Sequence, residues 1–211
     1  MPVTSFLNQK GGVGKTSCCH HLAGAFVQMG RRVLLLDNDP QASLTQGLIG
    51  PEETLALLPE ATLAAVLAGD APFPEQIIRK VCPGIDLIPG SDALEFYDNY
   101  PPERESLESQ CCLRDFLAEI RDRYDHILID CRPAVRLCSW RALAAADSLV
   151  IPLQAEDYGA QGVPKMLDSV NMVRAAVNPD LRHGFVITMN NPRKSIQKVY
   201  EDTVRLTYGV L

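Results

Sequence analysis

A glycine-rich stretch near the N-terminus contains the residues whose types and spacing are most suited to chemistry. Residues 9–17 read QKGGVGKTS and are interpreted as a phosphate-binding loop of the G-x-x-x-x-G-K-[S/T] type. Glycines in such a loop let backbone N–H groups approach phosphate oxygens, while a lysine contacts the terminal phosphates and a hydroxyl binds Mg²⁺. The expected nucleotide contacts are Gly11, Gly12, Val13, Gly14, Lys15, Thr16 and Ser17.

A second lysine, Lys10, stands at the front of this loop. A phosphate-binding loop requires only one lysine, so the residue types leave two interpretations open. Lys10 is either a solvated surface lysine or a further cation that neutralises charge as it develops on the transferred phosphoryl group.

Two apolar runs end in acidic residues. The run LLLDND contains Asp37 and Asp39, and the run ILIDC contains Asp130. Continuous apolar runs are typical of strands buried in a parallel sheet, and ligands bind at the carboxyl ends of such strands. Asp37 and Asp130 are therefore predicted to support Mg²⁺ through water. The alternative is that each carboxylate caps the turn after its strand.

Strand-like and helix-like patterns alternate along the chain. Strands are predicted at residues 3–8, 31–39, 84–91, 125–131, 148–154 and 183–190. Helices are predicted at residues 15–30, 62–69, 74–81, 112–124, 162–177 and 195–209, and a loop at 100–106. This alternation predicts an α/β fold, with a doubly wound, mostly parallel sheet and helices on both faces, in a single domain over residues 1–211.

Composition restricts the classes of protein to which the chain can belong. Its 211 residues carry a net charge of −6, which argues against a surface devoted to nucleic acid, although residues 160–211 hold more basic than acidic residues. None of the seven cysteines lies in a C-x-x-C pair, and no apolar run approaches the roughly 18 residues of a membrane span. The first residues do not read as a secretory signal, so we expect a cytoplasmic protein with reduced thiols.

Four segments, in order along the chain, resemble the motifs of one family. They are similar to motifs of the ParA/MinD group of deviant-Walker ATPases, and most of all to ParA proteins of plasmid and chromosome partition. The segments are KGGVGKTS (10–17), LLLDNDPQASLT (34–45), YDHILIDC (124–131) and IPLQAEDYGAQGV (151–163). The resemblance implies a P-loop fold with ATP and Mg²⁺ as cofactors, a homodimer in the ATP state, and hydrolysis that is slow until a ParB-like partner stimulates it. It also implies non-specific DNA binding, association with the nucleoid and no stable membrane insertion.

The same resemblance assigns roles to individual residues. Lys10 would reach across the dimer interface to the partner's nucleotide, and Asp39 would orient the attacking water. Glu156 would contact the partner's nucleotide, and Asn190 would recognise adenine. The two strand-end aspartates, Asp37 and Asp130, would support Mg²⁺.

The chain departs from the family pattern at two places. After Asp130 it reads CRPAVRLCSW, with Arg132 where the family has a proline and with Arg136 and Trp140 at further unusual positions. The sequence also stops at TYGVL, where ParA relatives continue through another strand, a base-contacting loop and a last helix. The expected DNA-binding residues lie in the basic segment and are Arg182, Arg193, Lys194 and Lys198.

Three alternative functions share the phosphate-binding loop. The chain could be a ParA-like ATPase that positions another cargo, because the partner chooses the cargo. It could be a MinD-like ATPase that cycles on membranes, which requires an amphipathic C-terminal helix. It could be an electron donor like the nitrogenase iron protein, which requires cysteines such as Cys138 and either Cys111 or Cys112 around a shared iron–sulfur cluster.

Overall fold

The computed structural model describes residues 2–70, 72–154, 162–191, 193 and 195–208. Two residues with predicted roles, Glu156 and Lys194, lie outside the described residues. Within these ranges, no helix combines the length and the apolar composition that crossing a membrane requires.

A seven-stranded sheet forms the centre of the described structure. Its strands are β1 Val3–Phe6, β2 Val33–Asn38, β3 Arg79–Cys82, β4 Ile85–Ile88, β5 His126–Cys131, β6 Ser148–Gln154 and β7 Arg182–Thr188. They lie in the order β3-β4-β2-β5-β1-β6-β7, and all neighbours run parallel except β3 and β4. The predicted mostly parallel α/β fold is confirmed.

Helices cover both faces of this sheet. They are α1 Lys15–Gln28, α2 Ser43–Ile49, α3 Pro51–Leu55, α4 Leu63–Ala68, α5 Pro74–Ile77, α6 Leu94–Tyr97, α7 Leu107–Ile120, α8 Leu137–Ala145, α9 Val163–Ala176 and α10 Ser195–Tyr208. Helices α1 and α2 pack on one face, and α4 and α6 to α10 contribute to the core on the other. Both faces are therefore buried, which explains the continuous apolar runs in the sequence.

The central strand β2 shows how the sheet divides the core. All six of its residues are buried, with Leu34 and Leu36 in the core on one face and Leu35 in the core on the other. This alternation follows from the two-residue period of a strand. The register between β2 and β5 places Asp37 directly opposite Asp130, so the two aspartates meet at the carboxyl edge of the sheet.

The helix predicted over residues 74–81 is wrong in its second half. Helix α5 ends at Ile77, and Arg79–Cys82 form the antiparallel edge strand β3 instead. A tight turn through Gly84, whose φ is 89°, joins β3 to β4. The sequence signal for this hairpin is the Pro83-Gly84 pair, which is typical of turns.

Helices α7 and α8 differ most from the sequence prediction, and the short helices α2, α3 and α6 were not predicted either. Helix α7 begins five residues before the predicted start, because the Ser106 side chain accepts a hydrogen bond from Ser109 N–H and caps the helix. Helix α8, Leu137–Ala145, was not predicted. Eight of its nine residues are buried, so it has no polar stripe and therefore lacks the amphipathic period that identifies a surface helix.

Candidate active site

The phosphate-binding loop connects β1 to α1, as predicted. Gly12 and Gly14 have left-handed backbone conformations, with φ of 71° and 85°, which residues with a Cβ rarely adopt. Thr188 Oγ1 and Gln154 Nε2 donate hydrogen bonds to two loop carbonyl groups, at 2.8 and 3.2 Å. The backbone N–H groups of residues 11–14 donate to no other described residue. Hydrogen bonds to its carbonyl groups thus fix the loop, and its N–H groups are available to an anion.

A cavity of about 370 Å³ opens beside this loop. It is lined by Gly11, Gly12, Gly14, Lys15, Thr16, Ser17, Asp39, Gln41, Ser43, Pro133 and Met189. The loop ends as the motif requires, but Gln9 occupies the position of the motif's first glycine, which corrects the match inferred from the sequence. The structure therefore brings most of the predicted loop contacts and Asp39 to one cavity, whereas the Val13 side chain is buried in the core.

Lys15 is buried at the first position of α1. Its Nζ donates a hydrogen bond to Lys10 O at 3.2 Å. Burial lowers the pKa of the ammonium group, while the carboxylates of Asp130 and Asp39 act in the opposite direction. The Lys15 charge therefore lies between the loop and the acidic strand ends, where a phosphate group would contact it.

Lys10 contacts its own chain. Its Nζ donates to Gln154 Oε1 at 3.1 Å, and its backbone N–H donates to Asn8 Oδ1 at 2.9 Å. Asn8 is held in turn by a 2.7 Å hydrogen bond from its Nδ2 to Pro152 O. These bonds fix the start of the loop against β6, and the reach of Lys10 to a partner's nucleotide stays a prediction.

Asp37, at the end of β2, is buried and bonded through both carboxylate oxygens. Oδ2 accepts hydrogen bonds from Thr45 N–H and Thr45 Oγ1 at 2.8 and 2.7 Å, and Oδ1 accepts one from Asp39 N–H at 3.3 Å. Burial raises the pKa of Asp37 to about 6, although the bonds from Thr45 lower it. These contacts correspond to the turn-capping role, and contact with Mg²⁺ stays a prediction.

Asp130, at the end of β5, is buried without such bonds. Neither of its carboxylate oxygens accepts a hydrogen bond from a described residue. Burial raises its pKa to about 8, and the charge of Asp37 adds to the shift. The Thr16 hydroxyl and the Lys15 ammonium oppose the shift, although no hydrogen bond of ordinary geometry joins Thr16 to either oxygen. Because an unbonded buried carboxylate is rare and costly, Asp130 is the group in this site most in need of a cation.

The residues at this edge fit the predicted Mg²⁺. Among the described residues there is no group of three or more His, Cys, Asp or Glu side chains that could hold a metal ion together. Mg²⁺ does not require such a group, because it keeps several water and phosphate ligands and takes only one or two carboxylates from the protein. The Asp130 carboxylate and the Thr16 hydroxyl supply oxygen donors of the kind that Mg²⁺ prefers.

Asp39 and the strained residue Met189 line the cavity, and a second strained residue, Ala42, lies between the lining residues Gln41 and Ser43. Asp39 Oδ1 accepts a hydrogen bond from Gln41 N–H at 3.0 Å, which forms a tight turn before α2. Ala42 and Met189 have left-handed conformations, with φ of 50° and 53°, and are the only non-glycine residues with positive φ in the described ranges. Such strain is found where the surrounding structure fixes a loop for function, and both residues belong to segments that border the cavity.

The remaining predicted site residues lie farther along the chain. The Asn190 amide donates a hydrogen bond to Glu201 of α10, and its Oδ1 is buried without a partner among the described residues. Arg193 and Lys198 are exposed near the start of α10, whereas Arg182 begins β7. Since β7 has seven residues, Arg182 lies about 20 Å along the strand from its other end. Arg182 therefore lies at the end of β7 away from the one that leads to Arg193, and DNA binding by these residues stays a prediction.

Sequence reasoning missed several residues that shape the site. Thr45 bonds Asp37 and accepts a hydrogen bond from Gly90 N–H at 2.9 Å. Gly90 must lack a side chain, because a Cβ there would lie 2.8 Å from Asp37 O. Gln154 and Thr188 hold the loop carbonyls. The last two end β6 and β7, so the rule that ligands bind at the carboxyl ends of strands could have identified them.

Comparison with known proteins gives a consistent set of relatives. The sequence model of a family described as "AAA domain" matches residues 1–183. The "Chromosome partitioning protein ParA" of Caulobacter vibrioides is 35% identical, over 98% of this chain and 76% of that protein. The "Sporulation initiation inhibitor protein Soj" of Bacillus subtilis is 33% identical, over 97% of this chain and 82% of that protein.

The fold comparison agrees with the sequence comparison. The crystal structure of cobyrinic acid a,c-diamide synthase from Mycobacterium smegmatis, with bound ATP analogue and magnesium, has a TM-score of 0.89 to this chain. The two are 29% identical, and the match covers 100% of this chain and 84% of that one.

Proposed function

Because this chain belongs to the ParA/MinD family of deviant-Walker P-loop ATPases, we propose that it binds ATP with Mg²⁺ at the phosphate-binding loop and hydrolyses it. The observation that carries the proposal is the buried, unbonded Asp130 carboxylate close to the Lys15 ammonium. The solved relative with an ATP analogue and magnesium supports the same pair of cofactors.

The loop and Lys15 would bind the phosphates. The N–H groups of residues 11–14 and the N-terminus of α1 favour negative charge, and Lys15 adds a full positive charge beside them. When ATP binds, we expect Lys15 Nζ to exchange its bond to Lys10 O for a charge-assisted bond to a phosphate oxygen.

Asp39 would orient the water that attacks in hydrolysis. Its carboxylate borders the cavity, and the Gln41 N–H bond fixes the orientation of one oxygen while the other can accept a hydrogen bond from a water molecule. Bound Mg²⁺ would supply charge neutralisation at the phosphates, with Thr16 and Asp130 as the residues that hold it. Asp37 would act on this site through Asp39, because its carboxylate accepts a hydrogen bond from the Asp39 N–H.

Dimerisation in the ATP state would complete the site. Lys10 is placed at the mouth of the loop by Asn8 and Gln154. A rotation of its side chain away from Gln154 would present the ammonium to a second nucleotide, as the family resemblance implies. Turnover in the isolated chain would then be slow, because the catalytic groups assemble only in the dimer, and a ParB-like partner would stimulate it.

The proposed cellular role is partition of DNA or positioning of another cargo. The Caulobacter and Bacillus relatives support a role of the ParA type. Arg193 and Lys198 are exposed near the start of α10, and a dimer would present two such patches. Contacts of this kind neutralise phosphates without reading bases, so DNA binding would be non-specific and sensitive to salt.

One experiment separates the proposed roles of the two charged residues. Sedimentation with a non-hydrolysed ATP analogue and turnover with ATP are measured for Lys10→Ala and Asp39→Ala. Lys10→Ala should bind the analogue but stay monomeric, and Asp39→Ala should dimerise but lose turnover. Exposed residues of α9 provide the matched controls Lys165→Ala and Asp168→Ala. A wild-type chain that neither binds the analogue nor hydrolyses ATP would refute the proposed function.

A further inference from the structure

The segment that follows β5 carries an arginine where the family pattern has a proline, and the structure shows what that arginine contacts. Arg132 Nη1 lies 2.5 Å from Asp98 Oδ2 and 3.1 Å from Glu95 Oε2. The Asp98 side chain is fully buried, whereas Glu95 is half exposed, so Asp98 is the main partner. Burial works against the charged form of Arg132, but Asp98 and Glu95 more than offset it, and the pKa of the guanidinium is raised.

Asp98 binds both ends of the segment. Its Oδ2 accepts from Arg132, and its Oδ1 accepts from the backbone N–H of Cys138 at 2.9 Å. Cys138 is the second residue of α8, so one buried carboxylate connects the residue that follows β5 to the first turn of α8. We call this arrangement the Asp98 clamp, formed by Asp98, the Arg132 side chain and the Cys138 N–H.

One residue between the two ends of the clamp, Pro133, borders the nucleotide cavity. Pro133 lines the cavity with Lys15, Thr16 and Asp39. A turn follows Arg132, in which Ala134 N–H donates to Arg132 O at 2.8 Å. The clamp therefore determines where Pro133 stands relative to Asp39, although Arg132 itself does not line the cavity.

The carboxyl end of β2 also reaches the clamp. Asn38, between Asp37 and Asp39, donates a 2.9 Å hydrogen bond from Nδ2 to Cys138 O. The first turn of α8 is thus bonded directly to the end of β2 and, through Asp98, to Arg132 after β5. A displacement of the segment at Arg132 would therefore shift Asp39 through the bond between Asn38 and Cys138.

We propose that Arg132 is a positioning residue, which replaces the rigidity of the family's proline by binding Asp98 and so holds the Pro133 side of the cavity in place for hydrolysis. The effect on turnover rests on the proposed ATPase function, whereas the effect on the segment itself does not. ATP binding should change little, because Lys15 bonds Lys10 O and Arg132 bonds Asp98 and Glu95, so no hydrogen bond of either side chain joins the two.

The test uses the double variant Arg132→Ala/Asp98→Asn. Asparagine keeps an oxygen for the Cys138 N–H and removes the buried charge that Arg132→Ala alone would leave unpaired. The matched control is Arg123→Ala/Glu75→Gln, which removes a 2.7 Å ion pair on the surface at the opposite edge of the sheet. Hydrogen exchange of residues 131–138 without nucleotide, ATP affinity and turnover are measured for each protein.

We expect the double variant to exchange residues 131–138 about tenfold faster and to turn over about tenfold more slowly, with ATP affinity within about twofold of wild type. The control should match wild type in all three. Wild-type exchange and turnover in the double variant would overturn the proposal. If the wild-type chain lacks turnover, the proposed function fails while the exchange measurement still decides whether the clamp exists.

A second variant, Arg132→Pro/Asp98→Asn, covers the case in which the alanine variant does not fold. It restores the family's residue at the position after β5. Exchange and turnover should return towards wild type. A folded proline variant as slow as the alanine variant would contradict the proposal that Arg132 replaces the rigidity of the family's proline.

Discussion

The carboxyl ends of β2 and β5 each carry an aspartate, and the two lie in direct register, yet their carboxylates differ in hydrogen bonding. Asp37 is bonded by Thr45 and by the Asp39 N–H, so the chain itself satisfies its carboxylate. Asp130 is equally buried and accepts no hydrogen bond from a described residue. Burial alone therefore does not define the role of a carboxylate. Asp37 is bonded within the fold of the site, whereas the Asp130 oxygens have no hydrogen-bond donor among the described residues.

The largest expected effect concerns Lys15, whose positive charge acts on Asp130. Lys15→Gln removes the positive charge that would contact the terminal phosphates, and the loop geometry should remain. We expect ATP affinity to fall at least 100-fold, or about 2.8 kcal/mol, as measured by calorimetric titration. The exposed Lys165→Gln is the control. Unchanged affinity in Lys15→Gln would mean that nucleotide does not bind at this loop.

The sequence predicted the two strand ends but not the difference between them. Apolar runs ending in aspartate identify buried strands, because burial on both faces of a parallel sheet leaves a continuous pattern. The partner of Asp37 comes from Thr45, eight residues later, and depends on the left-handed turn at Ala42, which alanine does not favour. Local patterns could not reveal that bond.

Long-range contacts account for the other failures. Helix α8 is buried on all sides, so it lacks the period by which helices are recognised. In the sequence Arg132 only departs from the family pattern. Its role depends on the ion pair with Asp98, which lies 34 residues earlier in the chain. Gly90 could be explained only by its approach to Asp37. The glycine-rich loop was predictable because its chemistry is local.

A smaller effect is expected from the residue that satisfies Asp37. Thr45→Val keeps the side-chain shape, but it removes the hydroxyl that donates to Asp37 and accepts from Gly90 N–H. We expect the free energy of unfolding to fall by about 2 kcal/mol, because a buried carboxylate and a buried N–H each lose a partner. Denaturant titration measures it, with Thr54→Val as the control, since Thr54 bonds only the Gly50 carbonyl in its own turn. Equal losses in both variants would contradict the special role of Thr45.

The pH dependence of stability should separate Asp130 from the rest of the chain. The folded chain holds the Asp130 proton up to about pH 8, whereas the unfolded chain releases it near the ordinary value of 3.8. The unfolded state therefore binds fewer protons between these values, and the free energy of unfolding should fall as the pH rises through that window. The slope is at most about 1.4 kcal/mol per pH unit.

Asp130→Asn cannot ionise and removes this contribution. The stability of the variant relative to wild type should therefore increase steadily from about pH 4 to about pH 8, as measured by denaturant titration without nucleotide. A difference that stays constant across this range would mean that Asp130 is solvated or bonded in the folded protein.

The most direct test of the division between the two aspartates is the Mg²⁺ dependence of ATP binding. Affinity for a non-hydrolysed ATP analogue is measured by calorimetry with and without Mg²⁺, for wild type and for Asp130→Asn. If Asp130 is the carboxylate available to the metal, Mg²⁺ should tighten binding by about tenfold or more in wild type and by less than about twofold in the variant, whose Mg²⁺-free affinity should be no weaker. Full Mg²⁺ dependence in Asp130→Asn would contradict the account.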